Sequence, residues 1–180
     1  QQDILDIIHD YFVHITTTLY PNKIILAEPF PVLTWYDAMN RYWSDKPELR
    51  TEEMKFVELT DRAKDSDFAV FKNAETIKGI VIHKEMGRSE IEKNYEAYIK
   101  GYGSKWLFYL SFGIDGVKWS IAKFFDETKL AKLQELAWIQ EWDIIFFQAD
   151  TWHNVVTRLG MLRTKLIADL KLLEGKENEL

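Results

Sequence analysis

The stretch "DIIFFQA", Asp143 to Ala149, decides the fold class. Ile144, Ile145, Phe146 and Phe147 stand in an unbroken apolar row, too short for a helix. A fully apolar run of this length reads as a central strand. Working outward, "TIKGIVIH" (76–83), "MKFVELT" (54–60) and "KWLFYLSF" (105–112) are rich in β-branched and aromatic residues and read as further strands. "IAKFF" (121–125) reads as one more.

Helical signals are interspersed. Ile4, Leu5, Ile8, Phe12, Ile15 and Leu19 repeat at helical spacing, and Pro21 stops the run. In "AEPFPVL" (27–33) each proline pushes its predecessor out of the helical region, which predicts an extended segment. Thr34 and Asp37 form a capping box that opens a short helix to about Tyr42. Ser89 and Glu92 suggest a second capping box, on a helix that carries Ile91, Tyr95 and Ile99 to a glycine stop at Gly101 or Gly103. Asp126 caps a helix with Leu130, Leu133 and Leu136, and a last helix runs from about Thr151 to Leu173. Strands and helices in irregular order predict an α+β fold, a mixed or antiparallel sheet with helices on one side. A boundary is expected near residue 52. It separates a helix–loop segment (1–52) from a strand-rich body (53–165), followed by a helix end and frayed tail (166–180).

Composition narrows the function. The 180 residues suit one well-filled core, or one domain with an appendage. The net charge of −6 is spread along the chain, with four basic and seven acidic groups in residues 1–50 and nineteen and twenty-two in the rest. That is not the basic body of a free-standing nucleic-acid binder, so RNA contact would need a local patch. The absence of cysteine excludes disulfides, thiolate metal sites and cysteine nucleophiles. No apolar run approaches the roughly 20 residues of a membrane span, and the first ten residues are acidic where a signal peptide would be basic, so the expected location is the cytoplasm.

No motif nominates an enzyme or a metal. His9, His14, His83 and His153 are not paired at ligand spacing, although Asp6 and Asp10 flank His9. "DRAKDSD" (61–67) lacks the glycine and distal glutamate of a calcium loop. "GYGSK" (101–105) ends a helix instead of starting one, so its backbone N–H groups do not form a phosphate cradle.

Seven blocks carry a family resemblance, one ahead of an insertion module and six within it. "FPVLTWYDAMNRYWSDKPELR" resembles the stretch after motif 2 of bacterial-type aspartyl-tRNA synthetases, where a Thr-Tyr-x-x-Ala-Met helix leads to Tyr-Gly-Ser-Asp-Lys-Pro-Asp. "VELTDRAKDSDFAVFKN", "IKGIVI", "RSEIEKNYEAYIKGYGSK", "SIAKFF", "DIIFFQAD" and "LGMLRTKLI" then resemble, in order, the GAD insertion domain between motifs 2 and 3. The resemblance implies a GAD-like module joined to a helical and extended piece of a class II catalytic domain. The implied parent is a homodimer that ligates aspartate to tRNA with ATP and magnesium. The arginines of motifs 2 and 3 find no matching position here. By itself the chain is therefore expected to hold no catalytic residue, cofactor or metal, and to form no aspartyl-adenylate. Its role would be to position the tRNA acceptor arm, with Lys46, Arg50, Lys118 and Lys123 as candidate phosphate contacts because they flank matched loops. The competing readings are a stand-alone interaction module and an E-type subunit of a tRNA-dependent amidotransferase.

Tryptophan is abundant and glycine scarce, at seven and eight residues. Trp43, Trp106, Trp119 and Trp142 stand where the resembled pattern has glycine, and Trp138 where a helix C-cap glycine would sit; Trp35 and Trp152 fit this less well. Two explanations compete. Either UGA codons read as glycine in the organism appear here as tryptophan, or aromatic side chains have replaced glycine to make an apolar binding surface.

Overall fold

The computed structural model describes residues 1–51, 54–64, 67–118 and 121–180. The expected boundary at 52/53, part of the acidic connection and Trp119 lie outside these residues. The order is α1 (Gln2–Leu19), α2 (Trp35–Tyr42), β1 (Val57–Glu58), α3 (Thr60–Lys64), α4 (Ala69–Asn73) and β2 (Thr76–Ile82). Then come α5 (Arg88–Glu90), a π-helical turn (Ile91–Glu96), α6 (Ala97–Lys100), β3 (Phe108–Gly113), β4 (Gly116–Lys118), a 3-10 turn (Ala122–Phe124), α7 (Glu127–Ala137), β5 (Ile144–Asp150) and α8 (Trp152–Asp169).

The five strands form one antiparallel sheet in the order β1-β2-β5-β3-β4. The α+β expectation holds, and the apolar run that predicted it is the central strand. Ile144, Ile145, Phe146 and Phe147 are all fully buried, each worth roughly 1.5–3 kcal/mol of burial before the entropy cost. Ile144 and Phe146, with Ile80 and Ile82, face α8 and the helix of Arg88–Lys100. Ile145 and Phe147, with Ile77 and Val81, face α3, α4 and α7. Helices therefore cover both faces, not one side as expected: α8 and the helix of Arg88–Lys100 on one, and α3, α4 and α7 on the other, because the apolar residues of β2 and β5 point both ways.

Several local expectations change. "IAKFF" is a 3-10 turn, because Ile121 and Phe125, four apart, both sink into the second core while Phe124 stacks on Phe68 with ring centroids 4.7 Å apart. Only Val57 and Glu58 of "MKFVELT" pair as a strand. Met54 and Phe56 enter the first core and Leu59 the second, as strand alternation would place them. Phe56 N donates to Arg41 O, however, and α3 begins at Thr60, which leaves two residues to pair. Gly87, not Ser89, is the N-cap of α5, and Glu92 pairs with Arg88 Nε at 2.6 Å. The Thr34 cap is as expected: Asp37 N donates to Thr34 Oγ1 at 3.0 Å.

α1 is a separate matter. None of its residues is buried, and Ile4, Leu5, Ile7, Ile8, Tyr11 and Phe12 are all exposed. The segments at the two ends of the chain run side by side: Ile24 N donates to Asn178 O at 2.7 Å and Leu180 N to Ile24 O at 2.9 Å.

Candidate nucleic-acid interface

The loop after α2 is held by one arginine of α8. Arg163, 4% exposed, donates through Nε to Met54 O (3.0 Å) and through Nη2 to Glu48 O (2.7 Å), Thr51 O (3.2 Å) and Thr51 Oγ1 (2.9 Å). Its guanidinium also lies 5.1 Å from the Tyr42 ring centroid. A cation inside the fold is tolerated when every donor finds an oxygen. Because its partners are main-chain carbonyls, this one fixes the course of the loop.

That loop sets the first two candidate contacts. Lys46 is exposed on the rim of a cleft of about 310 Å³ lined by Tyr42, Trp43, Glu48, Gly160, Arg163 and Thr164. Among the described residues its ammonium has no carboxylate within ion-pair reach. Arg50 is committed elsewhere. Its Nε and Nη2 grip both carboxylate oxygens of Glu48 (2.8 and 2.6 Å), and Nη1 donates to Lys176 O at 3.0 Å. The Arg50 fork, with the Arg50 N–H and the nearby Arg163 charge, holds Glu48 below the ordinary carboxylate range against the opposing effect of burial. A guanidinium used in this way has little left to offer a phosphate.

The other two candidates lie at a different part of the sheet. Lys118 ends β4 and pairs with Asp115 at 2.9 Å in the β3–β4 turn. Lys123 is exposed on the 3-10 turn, its ammonium 5.1 Å from the Phe124 ring centroid. Thus Lys46 and Arg50 come together beside α8, while Lys118 and Lys123 sit with the second core and do not join them.

Sequence reading passed over a tyrosine–lysine patch. Lys165 of α8 points its ammonium at the rings of Tyr95 (5.8 Å) and Tyr98 (5.3 Å), and the Tyr98 and Tyr102 hydroxyls are 3.2 Å apart. Burial pushes the Tyr95 hydroxyl up to about 12, so it stays protonated as a donor. The signal was present, since Tyr95, Tyr98 and Tyr102 are spaced three and four apart, but Lys165 is seventy residues distant. Asp169 neutralises Lys165 at 2.9 Å and Tyr95 is buried, so what the patch presents is the rings and hydroxyls of Tyr98 and Tyr102 more than net charge.

The remaining motifs have structural roles. Arg158 pairs with Asp150 at 2.7 Å and donates to the carbonyls of Tyr102 and Gly103. The "GYGSK" loop therefore turns carbonyl oxygens inward, the opposite of a phosphate cradle. His83 Nδ1 meets Asp143 at 2.9 Å, and the His9 ring packs on Phe30 at 4.7 Å. Among the described residues no group of three or more His, Asp or Glu is placed to hold a metal ion, and no helix is long and apolar enough to cross a membrane.

Comparison with known proteins agrees with this architecture. The GAD domain family profile matches residues 69–159. The aspartate–tRNA ligase of Halalkalibacterium halodurans is 42% identical over 163 residues, which cover 86% of this chain and 27% of that protein. The aspartate–tRNA(Asp/Asn) ligase of Bacillus subtilis is 34% identical over 182 residues, 98% of this chain and 30% of that protein. For the aspartate–tRNA ligase of Staphylococcus saprophyticus the figures are 32% over 187 residues, 100% and 31%. The chain thus spans less than a third of the length of these relatives. It belongs to the GAD domain family, in the form carried inside aspartate–tRNA ligases.

Proposed function

We propose that this chain is an internal segment of an aspartate–tRNA ligase and that its part in the reaction is to hold the acceptor arm of tRNA. The parent, a cytoplasmic homodimer, would ligate aspartate to the tRNA 3′ end with ATP and magnesium bound outside this segment. The observation that carries the reading is the near end-to-end match of this chain to 30–31% of the length of such ligases. One structural feature supports it. The apolar face of α1 is uncovered, which suits a helix packed against the rest of a parent and disfavours a stand-alone interaction module.

Of the four cations, Lys46 and Lys123 have no carboxylate partner among the described residues, and Lys118 is held only by an exposed pair with Asp115 that a phosphate could replace. Contacts of that type position the RNA without reading its sequence and weaken with salt. The test compares the full parent enzyme with a form lacking residues 69–159. Deletion is expected to lower kcat/KM for tRNA charging while ATP–pyrophosphate exchange, which needs no tRNA, is retained. Unchanged tRNA charging would refute the proposal, as would robust exchange by the 180-residue segment alone.

A further inference from the structure

We infer that the natural polypeptide carries glycine at positions 43, 138 and 142, each encoded by UGA that its own cell reads as glycine. The backbone at these positions carries the inference. Among the described residues four non-glycine residues have positive φ: Trp43 (54°), Trp138 (53°), Trp142 (74°) and Lys171 (54°). Tryptophan makes up seven of 180 residues yet supplies three of the four. L side chains avoid this region because Cβ crowds the following carbonyl, and a bulky aromatic has no local hydrogen bond to offset it.

The surrounding hydrogen bonds are those of glycine sites. Trp138 N and Ile139 N both donate to Gln134 O at the end of α7, and Ile139 is buried. The Ile139 bond is the 6→1 bond of a Schellman end and the Trp138 bond the 5→1 bond of the αL stop, and in both the left-handed position belongs to glycine. Trp43 N donates to Met39 O at the end of α2, the simpler left-handed stop. Trp142 is the third residue of a turn closed by Asp143 N donating to Gln140 O at 3.3 Å, and a positive φ there calls for glycine.

The other tryptophans behave differently. Trp152 and Trp35 open helices with ordinary backbone. Trp152 stacks on Tyr36 with an interplanar angle of 8° and donates Nε1 to Asn40 Oδ1 at 2.9 Å. The Trp43 ring also packs, edge-on to Trp152 and His153, so at position 43 it is the backbone alone that points to glycine. Trp106, expected from the family pattern to replace glycine, is not left-handed, so its backbone makes no such demand. A common function does not explain the three either, since they stand at the end of α2, the end of α7 and the turn before β5. Trp138 is 83% exposed with no ring stacked on it among the described residues.

The codons at the three positions and tryptic peptides of the protein from its own cells test this together. Residues 133–158 fall in one peptide, as no Lys or Arg intervenes. That peptide is expected to be lighter by two tryptophan-to-glycine differences while keeping tryptophan at 152. The peptide 42–50 is expected to be lighter by one. UGG at any of the three positions, or peptide masses with tryptophan there, would overturn the inference.

Discussion

Replacing Trp138 measures the backbone demand at the end of α7 directly. A left-handed L-residue costs about 1–2 kcal/mol. Because the indole is 83% exposed, it buries only about 40 Å² of an aromatic's roughly 250 Å², or ~1 kcal/mol. Trp138→Gly relieves the strain but loses that contact, so by itself it should fall near the starting stability. Trp138→Ala provides the separation, since it loses the same indole yet keeps Cβ. After subtracting about 0.5–1 kcal/mol for the extra flexibility of glycine when unfolded, the glycine variant should exceed the alanine variant by ~0.5–1 kcal/mol. With a urea m-value of about 2 kcal/mol/M, that separates their midpoints by roughly 0.3–0.5 M. Far-UV circular dichroism is the suitable probe, because a fluorescence signal is removed with the indole. An alanine variant as stable as the glycine variant would show that the left-handed site costs an L-residue nothing, and the reasoning would fail.

Three other perturbations test the packing. Arg163→Met strands the carbonyls of Glu48, Thr51 and Met54 in the interior and should cost about 3–5 kcal/mol in urea unfolding; a loss under 1 kcal/mol would mean the loop is not held by this residue. A Cβ on Gly160 would lie 2.6 Å from Trp43 Cβ, so Gly160→Ala should destabilise by ~1–3 kcal/mol. In a Trp43→Gly background it should become neutral or stabilising through helix propensity, and a double-mutant cycle showing no coupling would contradict the contact. Glu48 has a depressed folded-state pKa, so the stability it contributes is present above its ordinary 4.5 and lost as pH falls through the lower folded value. Glu48→Gln should therefore flatten the acid limb of the stability curve below that pH, and an unaltered limb would contradict the linkage.

Sequence reading located elements whose environment is uniform along their length. β5 was legible because both its faces are dry. α2 and α7 were legible because Thr34 and Asp126 cap them in ways that leave a local signature. The segments misread are those whose backbone is claimed elsewhere: Phe56 N donates to Arg41 O and α3 begins at Thr60, which shortens β1, while Ile121 and Phe125 enter the second core at a helical spacing too brief to show as a period. Arg50 illustrates the same limit at the candidate interface. Its place beside a family loop was readable, but its commitment to Glu48 and Lys176 depends on a bend and on a partner 126 residues away. The tyrosine–lysine patch was hidden for a related reason, since α8 contributes the lysine and the π-helical turn the ring of Tyr95.

The arginine that grips the 48–54 loop also determines what can be transplanted. The segment recognisable as a domain by homology begins at residue 69 and stops at 159, four positions short of Arg163 and well past the carbonyls it binds. A graft cut at those limits would leave behind both halves of the clasp, together with Phe56 and its bond to Arg41 O. The portable unit is larger than the recognisable one: moving this module to another host requires taking along the loop that carries Glu48, Thr51 and Met54, on which it closes.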